Sequence, residues 1–580
     1  MSTRKNPFVY EQARLMSDEV VAQYYIDDHS HGRLLRSRRN IFLIGERGSG
    51  KTMELLYNTL PIQKLVMEGD NSNLDLGYIG ALVPANTPLI HRQEHDLLDR
   101  FRASVVSEHF FALAIVFHLS EALGFVADSL TVEEEAALRT ELAFYFDSPL
   151  PHQTDIFDAV CQMAQHESIE AQKALNVPAV EGMYTHALSF SSLAVPFMRA
   201  VKKAAAFRES HFMLMIDDAH MLNPYQVRSL NSWIAYRDRS LFSLKVATAK
   251  VGLPARKTGT GGDILEGHDF LTIDMERPFH NEGSDFGKFA ARVVRRRLES
   301  VGVSKSPEEF FSVHPRLASG LRAAAESIRS RAMKEMPNAG NKRIGDYVYR
   351  QTWAEFIRKR SPQANRPLYS GFSTLTFIST GVIRNLLEPC FWMWEAIMKD
   401  ASVGDGRIKG IPPSIQAKVI LDRSEVAWAR LRTLDMTIDG CSHRDAKRVR
   451  RLFEELSVYF QRRLFHHRSE PSATSFSLSG RDSGVMNQLS PLLSIAQRAQ
   501  LLYIREGPAK TMGRRELYYV PNRILWPSRG MDPHGQHARA SIMAKDVLAA
   551  SEGRAIPFHV QTSSHQHNLF STEEVTDARE

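Results

Sequence analysis

Five short runs of largely apolar residues punctuate the first 285 positions of the chain. They occupy residues 40–44, 78–83, 212–216, 244–248 and 270–273. Runs of this length and character are typical of strands that are buried on both faces of a parallel sheet. Helical patterns lie between them, as the connections of a parallel sheet require. We therefore predict an α/β core with a parallel sheet in residues 1–285.

Helical patterns fill two long regions, about residues 91–208 and 286–400. In the first region, the apolar run at 110–117 stops at His118. This run is far too short to span a bilayer, so we interpret it as part of a buried helix and expect no membrane partner. A Gly- and Pro-rich stretch at 404–413 follows the second region and is typical of a linker.

The residues after the linker combine helices with two strands. Residues 443–466 are predicted to form an amphipathic helix, because their apolar residues recur at helical spacing. A further helical pattern around 489–496 precedes two predicted strands at 501–505 and 516–520. We assign a C-terminal module to residues 414–560. The last residues, 561–580, are rich in His, Ser and acids, and we predict that they are disordered.

Composition and charge narrow the class of protein. A chain of 580 residues with 43% hydrophobic and 24% charged residues is expected to form several soluble domains. Its 3 cysteines lie far apart, which argues against a disulfide framework or a zinc site. The first residues lack the apolar core of a signal peptide, so we expect a cytoplasmic protein. The net charge of +7 is concentrated in 401–560, which suggests a polyanionic partner or a solubilising surface.

A glycine-rich motif directly follows the first predicted strand. It comprises Gly45, Glu46, Arg47, Gly48, Ser49, Gly50, Lys51 and Thr52. In this strand–loop–helix setting, glycines let the backbone wrap around phosphate oxygens. Lys51 would bridge the β- and γ-phosphates of ATP, and the Thr52 hydroxyl would ligate Mg²⁺. ATP and Mg²⁺ are therefore the expected cofactors.

Two acids end the third predicted strand, at Asp217 and Asp218. The carboxyl end of a strand in a parallel sheet lies at the same edge as the phosphate loop. We predict that Asp217 holds the metal and its water shell. Asp218 is predicted to polarise the attacking water.

With these motifs in this order, the chain resembles the AAA+ ATPases, above all the branch that contains the origin-recognition and cell-division-cycle replication initiators and their bacterial relatives. The resemblance implies a P-loop core, a helical lid at 286–400 and a winged helix whose wing lies in 500–521. It implies that residues 6–8, with Tyr24 and Tyr25, pack the adenine. It also implies that Thr248 is sensor 1 and that Arg384 is the sensor 2 arginine.

The chain departs from this family pattern in two places. Asp218 stands where most AAA+ proteins have Glu, and its shorter reach predicts slow hydrolysis. The separation of Lys51 from Asp217 is longer than a minimal core needs, so residues 91–205 are interpreted as a helical insertion. Sites in this family are usually completed by an arginine from a neighbouring subunit. Arg237 and Arg239 are the candidates, and either could instead be a solvated helix-end cation.

Two groups of cations in the C-terminal module are candidates for DNA contact. A stripe on the 443–466 helix comprises Arg444, Lys447, Arg448 and Arg451. The loop between the last two strands carries Lys510, Arg514 and Arg515. A helix followed by a hairpin with a basic tip is the layout of a winged helix. The same features also suit an ordinary solvated face or a protein contact.

The sequence thus predicts an ATPase, converting ATP and water to ADP and phosphate, that acts as a nucleotide-driven switch on DNA. We expect it to work as a homo-oligomer or within a hetero-complex. The alternative is a regulatory or signalling ATPase, for example in bacterial antiphage defence, that acts on a protein partner. A third possibility is a module that binds ATP without turnover.

Overall fold

The computed structural model describes most of the chain. The residues it describes are 5–9, 13–27, 29–69, 77–87, 90, 98–146, 148–176, 186–236, 240–250, 255–276, 284–360, 368–399, 408–466, 472–508, 515–534 and 538–558. The predicted disordered tail, 561–580, lies outside this part of the chain.

The chain forms two compact units that are not continuous in sequence. Unit 1 comprises Met1–Pro307 and Gly381–Lys409, and unit 2 comprises Glu308–Thr380 and Gly410–Glu580. The later boundary falls within the predicted linker at 404–413. The predicted lid, 286–400, is divided between the units, because residues 286–307 and 381–400 belong to unit 1 and residues 308–380 belong to unit 2.

Unit 1 is built on a parallel sheet of five strands. These strands are β1 (Ile41–Ile44), β2 (Tyr78–Pro84), β3 (His211–Asp217), β4 (Phe242–Thr248) and β5 (Leu271–Asp274). Their order across the sheet is β2-β3-β4-β1-β5, and every neighbouring pair is parallel. The predicted strands and the α/β core are therefore confirmed. All five carboxyl ends meet at one edge, where β1 leads into the phosphate loop.

Helices cover the sheet and make up most of the remaining structure. They are α1 (Asp18–Tyr24), α2 (His29–Leu35), α3 (Lys51–Tyr57), α4 (Leu60–Gly69), α5 (Arg100–Gly124), α6 (Val132–Tyr145), α7 (Ile156–Leu175), α8 (Ala194–Val201), α9 (Pro224–Ala235), α10 (Asp285–Glu299), α11 (Pro307–Phe310), α12 (Pro315–Glu335), α13 (Asn341–Arg358), α14 (Phe372–Ile378), α15 (Ile383–Met398), α16 (Pro413–Arg430), α17 (Leu434–Thr437), α18 (His443–His466), α19 (Ser483–Arg498) and α20 (Ala544–Ser551).

The region predicted as an insertion supplies helices α5 to α8, and α5 is its central element. By length and composition α5 could cross a membrane, but 72% of its apolar window is buried inside unit 1. Phe110 and Ile115 are fully buried, and α5 packs on α7, α9 and β2. The apolar run at 110–117 therefore belongs to a core helix of unit 1.

Unit 2 contains a second sheet, of four strands in the order β7-β8-β6-β9. These strands are β6 (Ala473–Ser479), β7 (Leu502–Pro508), β8 (Arg515–Pro521) and β9 (Ala538–Met543). β7 and β8 form an antiparallel hairpin directly after α19. On its other side, β8 pairs antiparallel with β6. This helix and hairpin give the module its winged-helix-like layout.

Two strands of this sheet, β6 and β9, were not predicted, so the expectation of two strands in the module was wrong. β6 reads Ala-Thr-Ser-Phe-Ser-Leu-Ser, and its small polar side chains are nearly all buried. Ser and Thr are usually exposed or in turns, so their pattern does not predict a buried strand. Here the surrounding structure buries them, which the sequence pattern does not show. The helix predicted at 443–466 is present as α18, with Val449, Leu452 and Phe453 buried.

Candidate nucleotide-binding site

The phosphate loop connects β1 to α3 at the carboxyl edge of the sheet. Gly48 and Gly50 have φ values of +88° and +104°, a region that L side chains rarely adopt. A Cβ atom on Gly48 would also lie 2.6 Å from the Cβ of Arg384. The loop therefore needs glycine at Gly48 both for its backbone conformation and for the close approach of the helix that carries Arg384.

Lys51 is held at the centre of this loop. Its Nζ donates hydrogen bonds to the carbonyl oxygens of Gly45 at 2.9 Å and Glu46 at 3.0 Å. Burial lowers the pKa of Lys51, whereas the nearby carboxylates of Asp217 and Asp218 act in the opposite direction. The amine is thus pre-positioned within the loop, next to two acids.

A direct hydrogen bond joins the phosphate loop to the first of the two acids. The Thr52 hydroxyl donates to Oδ2 of Asp217 at 2.9 Å. Asp217 is the last residue of β3, and its side chain is completely buried. The predicted metal ligands, one from each motif, are therefore neighbours in the structure.

Asp218 is the next residue after Asp217, and its backbone has a left-handed conformation with φ of +54°. Asp tolerates this region better than most residues, because its short polar side chain can form local hydrogen bonds. Its backbone N–H donates to Oδ1 of Asp217 at 2.9 Å. The Asp218 side chain is 31% exposed and lines the same pocket as the phosphate loop.

Two residues that we did not predict contact these acids. Nη2 of Arg14 lies 2.8 Å from Oδ2 of Asp217 and 2.7 Å from Oδ2 of Asp218. Asn86, just after β2, accepts a hydrogen bond from Arg14 Nη1 and donates to Oδ2 of Asp218 at 3.3 Å. Neither residue belongs to a recognisable motif, so only the fold brings them to the site.

The two predicted sensor residues also lie at this edge of unit 1. The backbone N–H of Arg384, in the first turn of α15, donates to the carbonyl of Gly48 at 3.2 Å. Thr248 ends β4 beside Ile44, the last residue of β1. The structure thus brings Arg384 and Thr248 together with the phosphate loop. Their sensor roles stay predictions.

A pocket beside the phosphate loop is lined in part by apolar and aromatic side chains. Tyr24 and Tyr25 line it, and the guanidinium carbon of Arg297 lies 3.8 Å from the centroid of the Tyr24 ring. Burial lowers the pKa of Arg297 to about 10. Phe8 instead packs edge-on against Trp394, with 6.0 Å between ring centroids. Of the residues expected to pack the adenine, the two tyrosines are therefore the ones that line the pocket.

The remaining predicted residues lie elsewhere or outside the described part of the chain. Arg237, Arg239, Lys510 and Arg514 lie outside the described residues. On α18, Arg444 and Lys447 are exposed and Arg448 is half-buried, whereas Arg451 donates to the carbonyl of Glu552 at 3.3 Å. Arg515, at the start of β8, is 77% exposed and lies 3.8 Å from Glu506.

The residues at this edge of the sheet fit a Mg²⁺-bound nucleotide. The buried hydroxyls of Ser49 and Thr248 have no hydrogen-bond partner within the described residues, and Ser49 lines the pocket. The Thr52 hydroxyl and Asp217 carboxylate are the oxygen donors that Mg²⁺ prefers. The tyrosines, with Val293 and Leu387, offer an apolar wall that suits a base.

Comparison with known proteins gives a family. No curated protein matches the chain. A solved structure of the Aeropyrum pernix ORC1 protein in complex with DNA is similar at 12% identity, over 92% of this chain and 94% of that chain, but with a TM-score of 0.27. That superposition is too loose to bear on the fold or ligands of this protein. The profile of the ORC-CDC6-like family matches residues 6–355 and 315–542. Because these matches span most of the sequence, the chain belongs to the ORC-CDC6-like family of AAA+ ATPases.

Proposed function

We propose that this protein binds Mg²⁺ and ATP in unit 1, hydrolyses the ATP slowly, and uses the bound nucleotide to control engagement of DNA by unit 2. One observation carries the nucleotide part, namely the 2.9 Å hydrogen bond between Thr52 and Asp217. It joins a phosphate loop to an acidic strand end in the arrangement that Mg²⁺ coordination requires. Membership of an AAA+ family supports the same activity.

Each residue of the site has a proposed role. Lys51 neutralises the β- and γ-phosphates, and Thr52 and Asp217 hold the metal, which supplies further neutralisation of the phosphate charge when bound. Asp218 accepts a proton from the attacking water. Its carboxylate is one methylene shorter than that of the Glu usual in this family, so we propose that turnover is slow. Thr248 and Arg384 would respond to the γ-phosphate.

The surface of unit 2 supports the DNA part of the proposal. Helix α19 buries Leu489, Leu492 and Leu493, and its exposed residues include Asn487 and Gln488. In helix-turn-helix proteins the second helix enters the major groove, where Asn and Gln can form paired hydrogen bonds with adenine. The hairpin that follows α19 and the first turns of α18 add exposed cations that suit phosphate contacts.

Salt-dependent binding to duplex DNA tests this part. Replacing Arg444, Lys447 and Arg448 together with Ala, or Lys510, Arg514 and Arg515 together with Ala, removes phosphate contacts. Duplex affinity should fall, and the slope of log K against log salt should become shallower by up to roughly 3 units, because fewer counterions are released. The affinity for ATP without DNA should stay nearly unchanged.

A matched control removes the same charge from unit 1. Lys173, Lys203 and Arg208 are exposed cations of unit 1, and Lys173 and Lys203 each pair with a surface Glu. Changing all three to Ala should leave the salt slope as in the wild type. Equal losses in the control and in both test variants would show a non-specific charge effect and contradict the assigned surfaces. Wild-type protein that shows no salt-dependent binding to duplex or single-stranded DNA with ATP present would instead favour the basic module as a docking surface for an acidic protein partner.

A further inference from the structure

The Arg14 side chain contacts both acids of the candidate site, Asp217 and Asp218. Its Nη2 donates to both carboxylates, and its Nε lies a further 3.3 Å from Oδ2 of Asp217. The Arg14 side chain is only 18% exposed, and that of Asp217 is fully buried. Charge-assisted hydrogen bonds between such buried partners are among the stronger polar interactions in proteins.

Arg14 and the Thr52 hydroxyl share one acceptor atom. Both donate to Oδ2 of Asp217, at 2.8 Å and 2.9 Å. The guanidinium therefore lies beside the hydroxyl that would ligate Mg²⁺, in the space that the water shell of the metal would need. A guanidinium and a hydrated divalent cation cannot both fill this space.

Residues shortly before Arg14 contact two helices of unit 1. Arg297 of α10 donates to the carbonyl of Pro7 at 2.9 Å, and Asn6 donates to Glu395 of α15 at 2.9 Å. Asn86 accepts from Nη1 of Arg14 and also donates to Asp218. Arg14 is thus held at the acids by the contacts of its own side chain with Asp217, Asp218 and Asn86.

We propose that Arg14 is the resident counter-cation of Asp217 and Asp218, and that it must leave Asp217 for Mg²⁺ to bind with ATP. This inference rests on the proposed function of the site. Asp217 is buried, and a buried carboxylate without a cation is costly, so one cation must be exchanged for the other. Arg14 thereby sets the Mg²⁺ concentration at which ATP binds, and its release frees Asp218 to act on water.

Titration of Mg²⁺ against a fixed concentration of a fluorescent ATP analogue tests this proposal. In Arg14→Ala, the guanidinium no longer competes at Asp217, so the Mg²⁺ concentration for half-maximal binding should fall about tenfold. Affinity for the analogue in EDTA should change much less. Arg33→Ala is the control, because Arg33 is an exposed cation of α2, elsewhere in the same N-terminal region. Its Mg²⁺ midpoint should equal that of the wild type.

Two results would overturn the proposal. One is a Mg²⁺ midpoint in Arg14→Ala that does not fall below that of the wild type. The other is an equal loss of nucleotide affinity with Mg²⁺ and with EDTA, which would mean that Arg14 binds phosphate rather than excluding the metal. Lys51→Ala separates this failure from failure of the site itself. If Lys51→Ala weakens ATP binding but Arg14→Ala does not shift the midpoint, only the Arg14 proposal is wrong.

A second variant keeps the test usable if Arg14→Ala fails to fold. Asn86→Ala removes the side chain that holds Arg14 Nη1 but leaves the guanidinium and both acids in place. The Mg²⁺ midpoint should shift in the same direction by a smaller factor, about threefold. A shift toward higher Mg²⁺ in this variant would contradict the exchange.

Discussion

Lys51→Ala is expected to weaken ATP binding by at least about tenfold. The Lys51 amine lies at the centre of the phosphate loop, next to two carboxylates, where it can offset the charge of a triphosphate. Without it, the nucleotide would bring its charge close to Asp217 and Asp218 with less compensation. Equilibrium titration with a fluorescent ATP analogue measures the change.

The control for this variant is Lys173→Ala, which removes a lysine that is 67% exposed on α7. It should bind ATP as the wild type does. Circular dichroism should show that both variants are folded, because a loss of structure would also abolish binding. A folded Lys51→Ala protein with wild-type affinity would remove the basis for a nucleotide site at this loop.

Asp218→Asn should bind ATP nearly as well as the wild type but lose turnover by about 100-fold or more. The substitution keeps the size of the side chain and its ability to accept hydrogen bonds from Arg14 and Asn86. It removes the basicity that a water-activating group needs. Steady-state phosphate release, compared with nucleotide affinity measured separately, distinguishes the two effects.

Asp274→Asn is a matched control, because Asp274 also ends a strand of the same sheet but pairs with Lys250 at 2.8 Å. Its turnover should stay close to the wild-type rate. If Asp218→Asn hydrolyses ATP as fast as the wild type, another group activates the water. A wild-type protein without turnover in the presence of DNA would favour a switch that binds ATP without consuming it.

The core sheet could be predicted because its strands are apolar and short, and because turn residues bound them. The hydrophobic pattern also placed α18 correctly, since its buried face follows helical spacing. β6 and β9 were not predicted, because their sequences lack a run of large apolar residues. Their buried positions include Ser475, Ser477 and Ala540, whose side chains carry little hydrophobic signal.

The division of the chain into two units could not be read from local patterns. Residues 308–380 pack with the C-terminal module, although helices before and after them, α10 and α15, belong to unit 1. Helices in all three segments have a buried face, and a sequence pattern shows which face is buried but not which partner buries it. Long-range packing decides that question.

The sequence likewise predicted only some residues of the candidate site. The phosphate loop and Asp217 are visible in the sequence, because their chemistry requires fixed residue types at fixed spacing. Arg14 and Asn86 are not, because Arg14 lies in a 3-10 helix of three residues, Asn86 lies in the turn after β2, and both depend on the fold to reach the acids. The trans arginine candidates, Arg237 and Arg239, lie outside the described residues and stay predictions.

The central claim, that nucleotide in unit 1 controls DNA engagement by unit 2, is tested most directly by one measurement. Duplex affinity is determined over a series of salt concentrations, with Mg²⁺ and ATP, with Mg²⁺ and ADP, and without nucleotide, for the wild type and for Lys51→Ala. We predict salt-dependent binding that Mg²⁺ and ATP alter in the wild type but not in Lys51→Ala. Wild-type protein that shows no salt-dependent binding to duplex or single-stranded DNA with Mg²⁺ and ATP, or the same affinity in all three nucleotide conditions, would contradict the claim.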